Sequence, residues 1–320
     1  LIAAICRYNG VCSHYREGIE GALDPVGNFS FHKYKEPHPR NHCPPMIIPT
    51  KLLLEDQRLI DAPYRVHSLD DLNRLEPDGI YTASRTYYAT NTVMLDAHLD
   101  RLEESAALES IPLQLDRTRL RGALRDTLAA GGYENARFRI TISRDNWKQI
   151  LLAAESLKEV PTEILTNGAE VATHCITRPN PRAKSNAWMG LRAEASKAFA
   201  EHIYEGIVCN SRGELLEGFS SNFYAVKNEK LWTAGDNVLF GITRKIILDV
   251  TQDLLPLHLH PVTIEDLSSL QEAFLSSSSR GVVPIVKIDN HVIGEGSPGP
   301  YTLETTRRYN SWVEENIEPI

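Results

Sequence analysis

Four short stretches carry side chains whose types and spacing suit chemistry. The first is LLEGFSSNFYAV, residues 215–226, in which Glu217 stands among apolar neighbours. Burying its charge costs roughly several kcal/mol, so Glu217 calls for a cation. Ser220, Ser221 and Asn222 beside it offer local hydrogen bonds. The plain alternative is a charged hairpin residue, or a carboxylate paired with a structural arginine. The second stretch is RPNPRAKSNAW, residues 178–188. Its prolines stiffen the approach to Lys184, and the helical pattern NAWMGLRAEASKAFAEH follows. A lysine entering a pocket loses its charge by desolvation and becomes a nucleophile, although most lysines lie on the surface.

The third stretch is HLDRL, residues 98–102, where His98 and Arg101 fall at i and i+3 and share a helix face. An arginine there can fork two hydrogen bonds onto a phosphate. A solvated helix surface is the simpler reading of that stretch taken alone. The fourth feature is a pair of small-residue loops. Gly241, Ile242 and Thr243 open a helix in FGITRKII, where free N–H groups favour an anion. LSSSSRG, residues 275–281, offers Ser277 and Ser278 in a turn that can form an anion nest. Ordinary caps and turns would look the same. Together the four ask for a phosphate, a carbonyl and a cationic ring nitrogen, and pyridoxal phosphate carries all three.

These residues must be positioned by regular elements. GIYTASRTYYA, residues 79–89, is β-branched and aromatic and predicts a strand. MLDAHLDRLEESAALES predicts a helix with Leu95, Leu99, Leu102 and Ala106 on one side. RTRLRGALRDTLAAGG predicts a second, stopped at Gly131-Gly132. ARFRITIS alternates, with Phe138, Ile140 and Ile142 facing one way and Arg137 and Arg139 the other, as in a half-buried strand. Further on, EGIVCNSRGELLEG, FYAVKNEKLWTA and VVPIVKIDNHVIG read as hairpins, and TRKIILDVTQDLL as a helix. The mixture is α+β. Pro161 and Asn167-Gly168 mark a boundary between a smaller N-terminal α+β domain, 1–165, and a larger C-terminal domain, 170–320.

The chain has 320 residues, enough for about two domains. A net charge of -8 argues against a nucleic-acid surface. No apolar run is long enough to span a bilayer, and no basic-then-apolar leader is legible. Cys6, Cys12, Cys43, Cys175 and Cys209 are an odd set without a CxxC pair, which predicts reduced thiols in a cytoplasmic protein. His38, His42 and Cys43 lie in the Pro-rich stretch EPHPRNHCPP and read as surface loop rather than as a metal site, because no second cluster follows.

The stretches HLDRL, RPNPRAKSN, LLEGFSSNFYAV, LFGITRKII and EAFLSSSSRGVVPIVKIDNHVIGEGSPGP resemble the fold-type IV pyridoxal-phosphate enzymes, the class IV aminotransferases. The resemblance runs from about residue 78 to the C-terminus. It implies the two-domain fold of D-amino-acid and branched-chain aminotransferases, a homodimer, and transfer of an amino group between an amino acid and a 2-keto acid. Lys184 then matches the Schiff-base lysine, which also moves the proton between substrate Cα and cofactor. Glu217 matches the carboxylate at the ring nitrogen, Arg101 the phosphate arginine, and Asn222 the asparagine that closes the Glu motif. Leu239 matches the apolar residue on one ring face. Gly241, Ile242 and Thr243, with Ser277 and Ser278, match the phosphate loops.

The chain departs from the family in places. Tyr81-Thr82 stands where Phe-Glu or Tyr-Glu is usual, and Tyr81 is a candidate substrate contact. Bulky Arg280 follows the serine run and either enters the substrate pocket or forms a surface pair. The Arg-x-His carboxylate trap of D-amino-acid aminotransferases is absent after ITISRDNW. Residues 1–75 form an atypical extension. These departures leave two other readings open, a lyase of the aminodeoxychorismate type and a non-catalytic binding protein on the same fold.

Overall fold

In a computed structural model, residues 46–320 are described in full, preceded by the backbone of two strands, Gly18–Leu23 and Phe29–Tyr34. The chain divides into two compact units, residues 1–46 and 47–320. In the first, the two strands pair antiparallel, from Gly18 opposite Tyr34 to Leu23 opposite Phe29. His38, His42 and Cys43 lie outside the described residues.

Residues 47–320 build two large sheets and a two-stranded pair of Asn91–Thr92 with Glu318–Pro319. The first has five antiparallel strands in the order Leu59–Asp61, Thr50–Leu53, Ile150–Ser156, Ala136–Ser143, Gly79–Arg85. Helices Leu95–Leu108 and Arg117–Gly131 cover one face. Their apolar stripes, Leu95, Leu99 and Leu102 with Leu120, Leu124 and Leu128, pack on Ile80, Phe138, Ile140 and Ile142. The second helix begins where the Asp116 side chain accepts the Arg119 N–H, and it ends at Gly132, whose φ of 60° suits glycine. The expected helix over 94–110 and strand over 136–143 are there, but the strand at 79 stops at Arg85.

The other face of this sheet corrects the half-buried reading of ARFRITIS. Arg139 is only 3% exposed. It donates to Glu76 and Asn73 and lies over the Tyr81 ring, 5.4 Å away. Alternation showed two faces; it did not show that the charged face is covered too.

The second sheet has nine strands, six of which close into a barrel. Around the ring they are Leu215–Gly218, Glu205–Cys209, Ala169–Cys175, Gly281–Ile288, Glu272–Ser277 and Asn222–Lys227. Val171, Ile207, Leu215, Phe223, Leu275 and Ile285 belong to one buried cluster of this barrel. Helices Ile242–Val250 and Pro300–Glu315 pack beside it through Ile246, Ile247, Tyr309 and Val313, against Tyr224 and Phe274. The three expected hairpins form, with positive φ at Asn228, Glu229 and Asp289 where the turns need it. The change of sheet falls between Ser156 and Ala169, which supports the proposal of a domain division at 165–170 inside this compact unit.

Gly79 opens the strand that borders the site, and a Cβ there would lie 2.0 Å from the Ile142 carbonyl oxygen. Gly79→Ala is expected to lower stability by roughly 1–3 kcal/mol, the usual cost of forcing atoms into a packed site. Urea unfolding at neutral pH measures it, and an unchanged midpoint refutes the close approach.

Candidate active site

A cavity of about 900 Å³ is lined by residues of both sheets. Lys184 lies in its wall, in the irregular segment ahead of helix Asn186–Ser196. That helix is shorter than the sequence pattern predicts. The five-stranded sheet pins the lysine's backbone. The Tyr81 N–H donates to the Lys184 carbonyl at 2.9 Å, and Ile80 bridges Ser185. The Lys184 N–H donates to Ser105 Oγ at 3.1 Å, and that hydroxyl donates to the Arg101 carbonyl. The amine is thus aimed from a backbone fixed at both hydrogen-bonding atoms.

The Lys184 Nζ lies 4.8 Å from the centre of the Tyr81 ring. Burial pulls its pKa down to about 8. The Tyr81 hydroxyl opposes this, while Arg101, Arg178 and Arg192 reinforce it. Burial alone would raise the Tyr81 phenol, yet Lys184 and the arginines around it bring it down to about 7. Amine and phenol therefore titrate as a pair near neutral pH.

Glu217 sits in strand Leu215–Gly218 and is 2% exposed. Its cation within the protein is Arg178, whose Nη1 donates to Oε1 at 2.6 Å. Arg178 Nη2 donates to the Ala183 carbonyl at 3.0 Å, one residue before Lys184. The Leu239 N–H donates to Glu217 Oε2 at 3.0 Å. Asn222 pairs across the strand with Glu217 and donates to the Leu239 carbonyl at 2.8 Å. A Cβ on Gly241 would meet Asn222 Oδ1 at 2.3 Å, so a larger residue there would displace the Asn222 side chain. The Ser221 hydroxyl is buried beside the cavity without a partner among the described residues.

Arg101, Thr243, Ser277 and Ser278 also line the cavity. Arg101 is 7% exposed and donates to Thr82 Oγ1 at 3.3 Å. Among the described residues no carboxylate lies within ion-pair reach of it, and burial pulls its pKa down to about 10. Its helix neighbour His98 is buried against the same Thr82 hydroxyl. Burial, then Arg101 and Lys184, hold its pKa well below the ordinary histidine value, so the ring is neutral. Thr243 Oγ1 donates to Ser278 Oγ at 3.3 Å, joining the helix start at Ile242 to the serine turn. Ile242 is buried but faces a neighbouring apolar groove rather than the cavity. Arg280 lines the cavity and is engaged there. It donates to Glu205 and Ser220 at 2.8 Å each and to Ser277 at 3.0 Å.

Sequence reasoning assigned no role to Arg178, Arg139, Arg192 or Glu205. Only Arg178 carried a signal, standing six residues before Lys184 in a quoted stretch.

Residues 79–288 match the family model described as amino-transferase class IV. The chain is 28% identical over 281 residues to a D-alanine aminotransferase of Staphylococcus haemolyticus, covering 83% of this chain and 98% of that protein. It is 24% identical over 258 residues to a putative branched-chain-amino-acid aminotransferase of Methanocaldococcus jannaschii, covering 76% and 89%. Among solved structures, the branched-chain amino acid aminotransferase of Escherichia coli superposes with a TM-score of 0.70 at 21% identity, over 84% of this chain and 95% of that one. The T.th. branched-chain amino acid aminotransferase, solved with pyridoxamine 5'-phosphate, gives 0.71 at 19%, over 86% and 99%. Both structures bear on the fold alone.

Removing Arg178 would leave Glu217 buried without its cation. Arg178→Met is expected to cost roughly 3–5 kcal/mol of stability, and the double variant with Glu217→Gln to recover much of it. Urea unfolding of the cofactor-free protein measures both, and additive losses would refute the coupling.

Proposed function

We propose how this chain, which belongs to the class IV aminotransferases, divides its reaction among its residues. It is an amino-acid aminotransferase, and its cofactor is pyridoxal phosphate. When bound, that cofactor supplies an aldehyde that joins amines and a ring that takes up electrons from a broken Cα–H bond.

The residues present fit the cofactor. The observation that carries the reading is one cavity holding an amine of lowered pKa, a buried carboxylate and a buried arginine without a carboxylate partner among the described residues. A carboxylate has about four lone-pair sites, so Glu217 can accept from a ring N–H while keeping Arg178 and Leu239. Glu217 is assigned to hold a proton on the ring nitrogen. Arg101, Thr243, Ser277, Ser278 and the N–H at Ile242 are assigned to the phosphate, while Gly241, whose own N–H donates to the Leu239 carbonyl at 2.9 Å, caps the helix that presents it. Leu239 and Asn222 shape the ring's seat. Lys184 Nζ would bind the cofactor and, once an amino donor displaces it, take the proton from substrate Cα and deliver it to the carbon that carried the aldehyde, so that hydrolysis releases the donor as a 2-keto acid. Tyr81 stands over that amine as a substrate contact and a second proton site.

The donor class we propose is a branched-chain or D-amino acid, with a 2-keto acid as acceptor. This is supported by the relatives of both kinds. We also propose a homodimer in the cytoplasm. The apolar groove of Met94, Phe240, Ile242, Ile246, Leu248 and Trp312 next to the site supports a second copy, and sedimentation tests it. No described helix is long and apolar enough to cross a membrane.

Lys184→Ala is expected to abolish transamination while still binding some pyridoxal phosphate, and retained activity sinks the assignment. Arg101→Ala is expected to weaken cofactor binding by roughly 1.5–3 kcal/mol, read by absorbance titration. An unchanged affinity removes Arg101 from the phosphate site.

Because the Lys184 pKa is lowered to about 8, its nucleophilic form dominates above that pH. Cofactor uptake by the apoprotein should quicken with pH and level off near 8, not near the ordinary lysine value of about 10.4. A rate still climbing past that value refutes the lowered pKa.

A further inference from the structure

The cations that line the cavity are nearly all accounted for. Arg137, Arg139, Arg178 and Arg280 each form an ion pair with a carboxylate. Arg74 and Lys158 are exposed at the rim. Lys184 is the reactive amine. Among the described residues, that leaves two half-buried or buried arginines of the lining without a carboxylate in ion-pair reach. One is Arg101, assigned above to the phosphate. The other is Arg192.

Arg192 is held but not neutralised. It stands eight residues after Lys184, about two turns along helix Asn186–Ser196, and is half-buried. Its Nη1 donates to the Phe219 carbonyl at 2.9 Å, the same oxygen that accepts from Trp188 Nε1. A guanidinium has five N–H donors, so an empty fork remains. Its charge reaches Asp70, whose own ion pair is with Arg137 at 3.1 Å. Arg192 lines the cavity that Tyr81 and Lys184 also line, and its charge acts on both. A positive fork fixed in the wall of a ligand cavity suits a carboxylate.

We infer that Arg192 anchors a carboxylate of the amino-acid and keto-acid substrates. The inference rests on the aminotransferase reading. It explains how the chain manages without an Arg-x-His pair after strand Ala136–Ser143: the cation comes from the helix that follows Lys184 instead.

The test uses the pyridoxal-phosphate-loaded protein, wild type, Arg192→Gln and Arg192→Lys. Binding of pyruvate and of 2-oxoglutarate is measured by calorimetry. Turnover is measured with alanine, glutamate and an amine lacking a carboxylate. Arg192→Gln is expected to weaken carboxylate binding and raise KM by roughly 10- to 100-fold, with little change in kcat. Arg192→Lys should recover part of the loss. Melting temperature, cofactor absorption and any turnover of the amine should stay as in wild type.

Equal losses for the mono- and dicarboxylic compounds assign Arg192 to the α-carboxylate. A loss confined to glutamate and 2-oxoglutarate assigns it to the distal one, and either result upholds the inference. Unchanged binding of both keto acids overturns it, as does a wild type that binds neither. If the wild type binds keto acids but transaminates no amino acid, the aminotransferase reading fails while the binding comparison still decides Arg192. Should Arg192→Gln not fold, Arg192→Lys is read alone. Weaker carboxylate binding, with melting and cofactor absorption intact, then supports the role, and no loss removes it.

Discussion

The site depends on one buried ion pair. Glu217 and Arg178 are 2% and 7% exposed, and neither charge is tolerable there without the other. Arg178 does more than neutralise. With Nη1 on Glu217 and Nη2 on the Ala183 carbonyl, it ties the barrel strand that carries the carboxylate to the segment that carries Lys184. Its guanidinium also lies 5.4 Å from the Trp188 ring, on the helix that leaves that segment. The planar fork is what permits two bonds in two directions, and a lysine ammonium would hold neither geometry. One side chain therefore links the segment of the nucleophile to the proposed ring-nitrogen partner.

The second constraint is backbone. Lys184 belongs by chain order to the barrel half, yet its carbonyl and N–H are satisfied by Tyr81 and Ser105 of the five-stranded half. Burying those peptide groups without partners would cost about 1–3 kcal/mol each, so the two halves are held where the lysine needs them. Arg101 shares in this arrangement, since its carbonyl accepts from the same Ser105 hydroxyl. The proposed phosphate end and the amine are thus joined through three atoms of one hydrogen-bond chain.

Much of this was legible in the sequence, and the limits are physical. Leu95, Leu99 and Leu102, or Phe138, Ile140 and Ile142, declare a buried face by period alone. Gly132 and the Asn228-Glu229 turn declare ends by backbone conformation. Glu217 and Lys184 are marked by a charge inside an apolar or stiffened stretch, whereas Arg101 is marked only by its helix face shared with His98 and by the family resemblance. Periodicity cannot say what covers a polar face, so Arg139 read as solvent-facing although it is buried against Glu76 and Tyr81. Pairings across long separations, such as Arg178 with Glu217 or Arg280 with Glu205, have no local signature. Arg192 reads as any helix-surface arginine, because its meaning comes from the absence, among the described residues, of a carboxylate in ion-pair reach once the chain is folded.

That absence gives the cavity its polarity. With most of its arginines tied to carboxylates, the lining holds, among the described residues, two half-buried or buried arginines with no carboxylate in ion-pair reach, Arg101 and Arg192, and both act on Lys184. Each depresses the lysine's pKa, and each would be neutralised by an anionic ligand group. A ligand with phosphate at one end and carboxylate at the other would relieve both charges at once, which would raise the basicity of the amine between them. Binding would thereby move Lys184 toward a stronger proton acceptor at the moment when a Cα proton must be taken. Burial is the largest cause of the lowered pKa and Arg178 adds to it, so pairing Arg101 and Arg192 would restore only their own share of its strength as a base.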